Sequence, residues 1–361
     1  MSPIRDPIHG YIEVRPSVER LLDTETVQRL RNVKQLGWTN LVYPGANHSR
    51  FEHSLGTYYL ASRLASGLSE HERAEIEISA LLHDIGHGPY SHDCEQVLEK
   101  YMRRGHGNVR PLLEREEIAG ILDALSIKPA AIASHIEGQT RIGQIINGTL
   151  DVDRMDYLVR DAYYTGVSYG MVDVDHLLRN INFYDDAIVL NHRGIKSAEA
   201  LLMSRFLMYP SVYNHHVGRI TGAMFSSALE SAIESLQLDP FELQRMDDYE
   251  VNVRMRNMRG YPAEIIRRLN QRSLFKRALF VGFDAVDRNI VRYAKSYREI
   301  EAEIARLAGI DMGYVLVDIP AMPEFRERNM RVQTENAQLK YIDDVSHMAR
   351  IIEESYVDDW R

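Results

Sequence analysis

A mainly α-helical fold with small β-hairpins and a C-terminal α+β region is what this sequence predicts, and three observations predict it. Apolar residues recur at helical spacing from about Ser17 to Ile290. Two turn signals, Asp6-Pro7…His9-Gly10 and Asp185-Asp186, sit between short β-prone runs. Past about residue 240, apolar runs alternate with a charged helical stretch. The length of 361 residues suits one large domain with a smaller one appended. We place a core at 1–240 and a smaller α+β region at 241–361.

Taken in order, residues 3–14 form the first hairpin. The run Glu75-Ile76-Glu77-Ile78-Ser79-Ala80-Leu81-Leu82 is a buried helix segment, which Gly86 and Gly88-Pro89 then end. Asn147-Gly148 breaks the chain before Leu150. A second hairpin spans Phe183 to His192. Strands are expected at Ala278–Phe283 and Tyr314–Ile319, with a charged helix at Asp287–Leu307 between them.

Composition narrows the function classes. No run of about eighteen apolar residues appears, so no membrane span is expected. The start, Met1-Ser2-Pro3-Ile4-Arg5-Asp6, lacks the basic and apolar regions of a secretory signal, and the single cysteine, Cys94, cannot form an internal disulfide. A cytoplasmic location is the expectation. A net charge of −9 argues against whole-surface affinity for nucleic acid. One basic stretch, Arg254 to Arg277, reads either as a solvated helix face or as a phosphate or subunit contact.

The chemistry-bearing residues are His53, the pair His83-Asp84, and Asp153. Imidazole nitrogens and carboxylate oxygens together suit a divalent ion such as Fe, Mn, Mg, Co, Ni or Zn. A His-Asp pair that follows the apolar run Ala80-Leu81-Leu82 puts polar groups against a core, at a cost of about 1–3 kcal/mol each if unpaired. A metal would supply the partner, and so would neighbouring protein groups. The dipeptide alone does not decide, because His92-Asp93 is a second copy.

Four segments carry a resemblance. They are Gln28-Arg29-Leu30-Arg31…Lys34-Gln35-Leu36-Gly37, Tyr43-Pro44-Gly45-Ala46…His48-Ser49-Arg50-Phe51-Glu52-His53-Ser54-Leu55-Gly56, His83-Asp84-Ile85-Gly86-His87-Gly88-Pro89-Tyr90-Ser91-His92, and Asp151-Val152-Asp153-Arg154-Met155-Asp156-Tyr157. In this order they resemble the HD-domain deoxynucleoside triphosphate triphosphohydrolases over about residues 3–220. That family includes proteins in which a sterile-alpha-motif domain precedes the core; none is expected ahead of it here. The resemblance implies an HD-domain helical core. It also implies a metal-dependent hydrolase releasing deoxynucleoside and intact triphosphate, and a homo-oligomer, either dimer or tetramer.

By the same resemblance His53, His83, Asp84 and Asp153 are the metal ligands. His87, one helical turn past His83 if that helix continues, contacts phosphate and serves acid–base chemistry; capping the helix end is its alternative role. His106, in Arg104-Gly105-His106-Gly107, matches the second catalytic histidine, with a plain surface loop as the alternative. Glu95 stands where many relatives have an aspartate that orients the first one. Arg50, Arg154 and His92 match phosphate-contacting positions, although either arginine would also serve to neutralise carboxylates, and Arg205 is a further substrate-binding candidate on the polar-spaced helix that carries Tyr209 and Tyr213. Gln35, Leu36, Tyr157, Asp161 and Tyr213 match a sugar pocket, with a core role as the alternative for Tyr213. Asp23, Gln28 and Arg31 match an activating-nucleotide site of some relatives, with the polar surface of an amphipathic helix as the alternative, and Ser2 replaces a lysine of that site. Two alternatives stand beside this function: another HD-type phosphohydrolase acting on a phosphomonoester or phosphodiester, and a non-catalytic nucleotide or nucleic-acid binder.

Overall fold

The computed structural model describes residues 3–103, 105–184, 187–295, 297–320 and 325–355. Helices dominate, with two small sheets. The first sheet is the expected N-terminal hairpin, β1 (Ile4–Asp6) and β2 (Gly10–Ile12). Asp6 Oδ1 accepts the backbone N–H groups of Ile8 (2.9 Å) and His9 (2.8 Å), and Gly10 turns the chain at φ +78°.

Two long helices carry most of the site. Helix α1 (Arg50–Leu64) begins at a capping box in which Ser49 and Glu52 satisfy each other's backbone N–H. Helix α2 (Glu70–Leu82) begins with the same device at Ser69 and Glu72. It buries Ile76, Ile78, Ala80, Leu81 and Leu82 against α1. Helix α3 (His92–Met102) follows a looped stretch. Helix α4 (Val152–Thr165) is capped by the Asp151 side chain, which accepts from Arg154 N–H at 2.9 Å, and stops at Gly166 with φ +76°.

The second hairpin is present as β3 (Ile181–Tyr184) and β4 (Ala187–Asn191); its turn residues Asp185 and Asp186 lie outside the described residues. Helices α5 (Ile195–Met208) and α6 (His216–Glu234) come next, then α7 (Asp248–Arg256) and α8 (Tyr261–Asn270). Late in the chain β5 (Arg331–Gln333) lies parallel to β4, with Val189 opposite Arg331, and β6 (Leu339–Tyr341) closes a sheet of order β3-β4-β5-β6. The boundary expected at 240/241 falls within an apolar cluster. Met224, Phe225 and Leu229 of α6 pack there with Val251, Met255, Ile265, Ile266 and Leu269.

Several expectations need correction. Ala278–Phe283 and Tyr314–Ile319 form no strands, since a strand needs a ladder partner and neither run has one. Leu279 stands 79% exposed in the first of them. The charged stretch between them is a 3₁₀ segment, Arg288–Lys295, followed by helix α9 (Tyr297–Ala308). The basic run Arg254–Arg277 spreads over two helices and a coil rather than one face; Arg254 pairs with Glu242 and Arg268 with Glu264. Among the described residues no helix is long and apolar enough to cross a membrane.

Candidate metal centre and its surroundings

The fold brings His53 of α1, His83 and Asp84 just past α2, and Asp153 in the first turn of α4 to one place. The two Nε2 atoms lie 3.2 Å apart. Asp153 Oδ1 is 2.9 Å from His53 Nε2 and 3.6 Å from His83 Nε2. Asp84 Oδ1 is 3.4 Å from His83 Nε2, and its Oδ2 is 3.7 Å from His53 Nε2. Both histidines are at least 93% buried, with 1% and 7% of their surface exposed.

A divalent ion fits this donor set, and the tautomers say why. His53 Nδ1 lies 2.8 Å from Asp156 Oδ2 and His83 Nδ1 lies 2.8 Å from the Ala80 carbonyl, so each Nδ1–H donates outward. Each Nε2 therefore presents a lone pair to the other, an arrangement that calls for a cation between them. Without a metal a proton answers that demand. Burial opposes charge on His53, but the carboxylates of Asp153, Asp156 and Asp84 raise its pKa to about 10. Burial likewise pushes the Asp153 and Asp84 carboxyls up, yet the histidines around Asp153, and Arg50 with His83 beside Asp84, hold both well below their usual range.

Behind His53 lies a buried relay that sequence reading missed. Asp156 Oδ1 lies 2.6 Å from His9 Nε2 and accepts from Arg160 at 2.9 Å; Arg160 Nε also donates to Asp156 Oδ2 at 2.8 Å. Arg160 then reaches Asp6 at 2.8 and 3.3 Å. Asp156 and Arg160 are fully buried. The i, i+4 spacing of Asp156 and Arg160 was a usable signal; the partnership with Asp6 was not, because it joins residues far apart in the chain.

Next to the centre, His87, His92 and His106 gather. Helix α2 ends at Leu82, so His87 arrives through successive turns rather than by continuation of the helix. His87 Nε2 is 3.3 Å from Asp84 Oδ1, and its ring stacks on His106 at 4.1 Å between centroids. Glu95 does not orient His87 as expected. Its carboxylate bonds His106 Nδ1 and, at 2.7 Å, His92 Nδ1, because α3 turns Glu95 toward these two rings. Burial pushes the Glu95 carboxyl up, but the two histidines hold it far below the usual range.

A cavity of about 2290 Å³ opens beside Asp153, lined among others by His92, Arg154, Tyr157, Arg205 and Tyr213. Arg50 is buried, donating from NH1 to Asp84 Oδ2 (2.6 Å) and from Nε to Ser91 Oγ (2.7 Å). Arg154 is paired with two carboxylates. It donates to Asp151 at 2.9 Å and to Glu327, to which Arg205 also donates. Asp161 accepts from Tyr213 Oη at 2.8 Å and lies 2.8 Å from His48 Nε2. Gln35 is buried, and its Oε1 has no hydrogen-bond partner among the described residues; Leu36 packs on the adjoining core. Asp23, Gln28 and Arg31 do not line this cavity. Asp23 caps the helix Pro16–Leu22, Arg31 Nε donates to Gln28 Oε1 at 2.7 Å, and its guanidinium lies over the Phe51 ring.

Two family models match the chain, the HD domain over residues 50–161 and the HD associated region over residues 172–361. An uncharacterized protein of Methanocaldococcus jannaschii is 34% identical, the alignment covering 100% of this chain and 78% of that protein. A Dictyostelium discoideum protein named a deoxynucleoside triphosphate triphosphohydrolase SAMHD1 homolog is 33% identical over 68% of this chain and 53% of its own length. The chain thus spans about half of that relative. A solved phosphohydrolase from Bacteroides thetaiotaomicron superimposes with a TM-score of 0.77 at 25% identity, covering 96% of this chain and 95% of that one.

Proposed function

The chain belongs to the HD-domain family, with an HD-associated region as its C-terminal half, and from that premise we propose that it hydrolyses deoxynucleoside triphosphates to deoxynucleoside and inorganic triphosphate. The carrying observation is the pair of His53 and His83 Nε2 atoms, 3.2 Å apart and flanked by Asp84 and Asp153. Those four residues would hold a divalent ion. When bound, the ion supplies Lewis-acid chemistry at a phosphoryl group and lowers the pKa of water.

The remaining work falls to the protein. Arg50 stands against Asp84 and offers its guanidinium to phosphate oxygens. His87, next to Asp84, carries the proton to the departing sugar oxygen. His106 and His92, each with Nδ1 tied to Glu95, keep their Nε2 atoms for phosphate contacts and proton exchange. Asp161, fixed between Tyr213 and His48, and Gln35 Oε1, which has no partner among the described residues, supply the polar groups that would recognise a sugar hydroxyl. A site built to bond a hydroxyl discriminates sharply against ligands that lack it. The similarity to a protein named as a triphosphohydrolase supports this substrate class.

Incubating the purified protein with each of the four dNTPs and Mn²⁺, then identifying the products, tests the proposal. Deoxynucleoside plus triphosphate is expected. Release of orthophosphate or of a monophosphate would assign another phosphohydrolase activity, and binding without turnover would assign a binder.

A further inference from the structure

Arg154 and Arg205 face the cavity beside Asp153, yet the NH1 and NH2 groups of both already donate to protein oxygens. Arg154 NH2 donates to Asp151 Oδ2 (2.9 Å) and the Gly148 carbonyl (3.1 Å), and its NH1 to Glu327 Oε1 and the Thr149 carbonyl (3.4 Å). Arg205 NH1 donates to the same Glu327 oxygen, and its NH2 to Tyr209 Oη at 3.4 Å. Two guanidinium charges are thus matched by the carboxylates of Asp151 and Glu327. Glu327 comes from a distant part of the chain, in the short 3₁₀ turn Arg326–Asn329 that leads into β5.

Glu327 is an unusual counterion. Its side chain is 1% exposed, and while Oε1 receives both arginines, Oε2 is buried with no hydrogen-bond partner among the described residues. A buried carboxylate with one oxygen unsatisfied is costly to keep. Its charge also cancels the field that would attract a polyanion to these two arginines. We infer that Glu327 is an anionic latch on the polyphosphate subsite: the HD-associated region lends a carboxylate to Arg154 and Arg205, and a substrate polyphosphate must take its place. This rests on the proposed function, since it concerns the phosphate subsite of that reaction. The C-terminal region thereby sets how tightly a polyphosphate is held, with β5 and the adjoining turn as the part that gives way.

The test is calorimetric binding of inorganic triphosphate, with Mn²⁺ in constant excess, to the wild-type protein, Glu327→Gln and Glu327→Asp. Removing one negative charge beside two arginines should tighten binding about tenfold at low salt. Glu327→Asp keeps the charge and should bind like the wild type. Equal or weaker binding by Glu327→Gln, or no binding by either protein, overturns the latch. If Glu327→Gln does not fold, hydrogen exchange of the wild-type segment 326–333 decides. Triphosphate should speed exchange there as the carboxylate is released, and unchanged or slower exchange overturns the proposal. Product analysis with dNTPs is a separate measurement, so a different substrate for the enzyme and a failed latch give different results.

Discussion

Asp156→Asn should separate metal binding from folding. Asp156 does not line the cavity beside Asp153; it accepts the His53 Nδ1–H at 2.8 Å and thereby fixes which nitrogen faces the metal centre. An asparagine has one carbonyl oxygen and a donor where the second carboxylate oxygen stood. Arg160 and His53 both present donors to Asp156, and His9 Nε2 shares it, so one of them must meet the amide N–H₂. Loss of a carboxylate behind a metal-binding histidine lowers metal affinity by about 10–100-fold, or about 1.4–2.7 kcal/mol. Titration of the variant with Mn²⁺ measures this directly, and a smaller rise in melting temperature at fixed Mn²⁺ reports it independently. Asp6→Asn is the control. It disturbs the same Arg160, bonded at 2.8 Å, without touching His53. It should lower the melting temperature while keeping metal affinity within about twofold. Wild-type Mn²⁺ affinity in Asp156→Asn, or equal losses in both variants, would refute the relay.

Three further outcomes follow from the same geometry. His83→Ala and Asp84→Ala should each lose bound metal and activity together, measured by elemental analysis beside turnover; full turnover in either would exclude the pair. His87→Ala should keep the metal and lose about 10²–10⁴-fold in rate, with metal loss in the purified variant pointing to a ligand or folding role instead. Asp248 is 3% exposed, and burial raises its carboxyl to about 7 against the opposing N–H groups of Tyr90 and Lys34. Because its folded pKa exceeds the unfolded one, the folded state binds more protons between about pH 4 and 7, and stability falls as pH rises through that window. Asp248→Asn should flatten this part of the melting-temperature profile, and an unchanged slope would contradict the assignment.

The limits of sequence reading show at particular residues. Asp156 and Arg160 lay in plain view on one helix face, but their purpose depended on His53 in front and Asp6 behind. The position of Glu95 in the chain points to His87, and the rotation of α3 gives it to His92 and His106 instead. Ala278–Phe283 has the composition of a strand and pairs with no edge among the described residues, whereas the short run Arg331–Gln333, with no strand signal of its own, pairs with β4. Such outcomes depend on which surfaces meet, and residue spacing along the chain does not carry that information.

By itself the sequence determined the local chemistry. Capping residues and apolar spacing specified the helices, glycine and aspartate specified the turns of the first hairpin, and the imidazole and carboxylate types specified a site suited to a divalent cation. These depend on interactions within a turn or two of chain, or on the donor atoms a side chain possesses. Tertiary structure alone decided how Glu327 engages Arg154 and Arg205, and how Asp6 secures the support of His53. Both are charge pairings between distant segments, and burial makes them strong only once packing has excluded water from the gap.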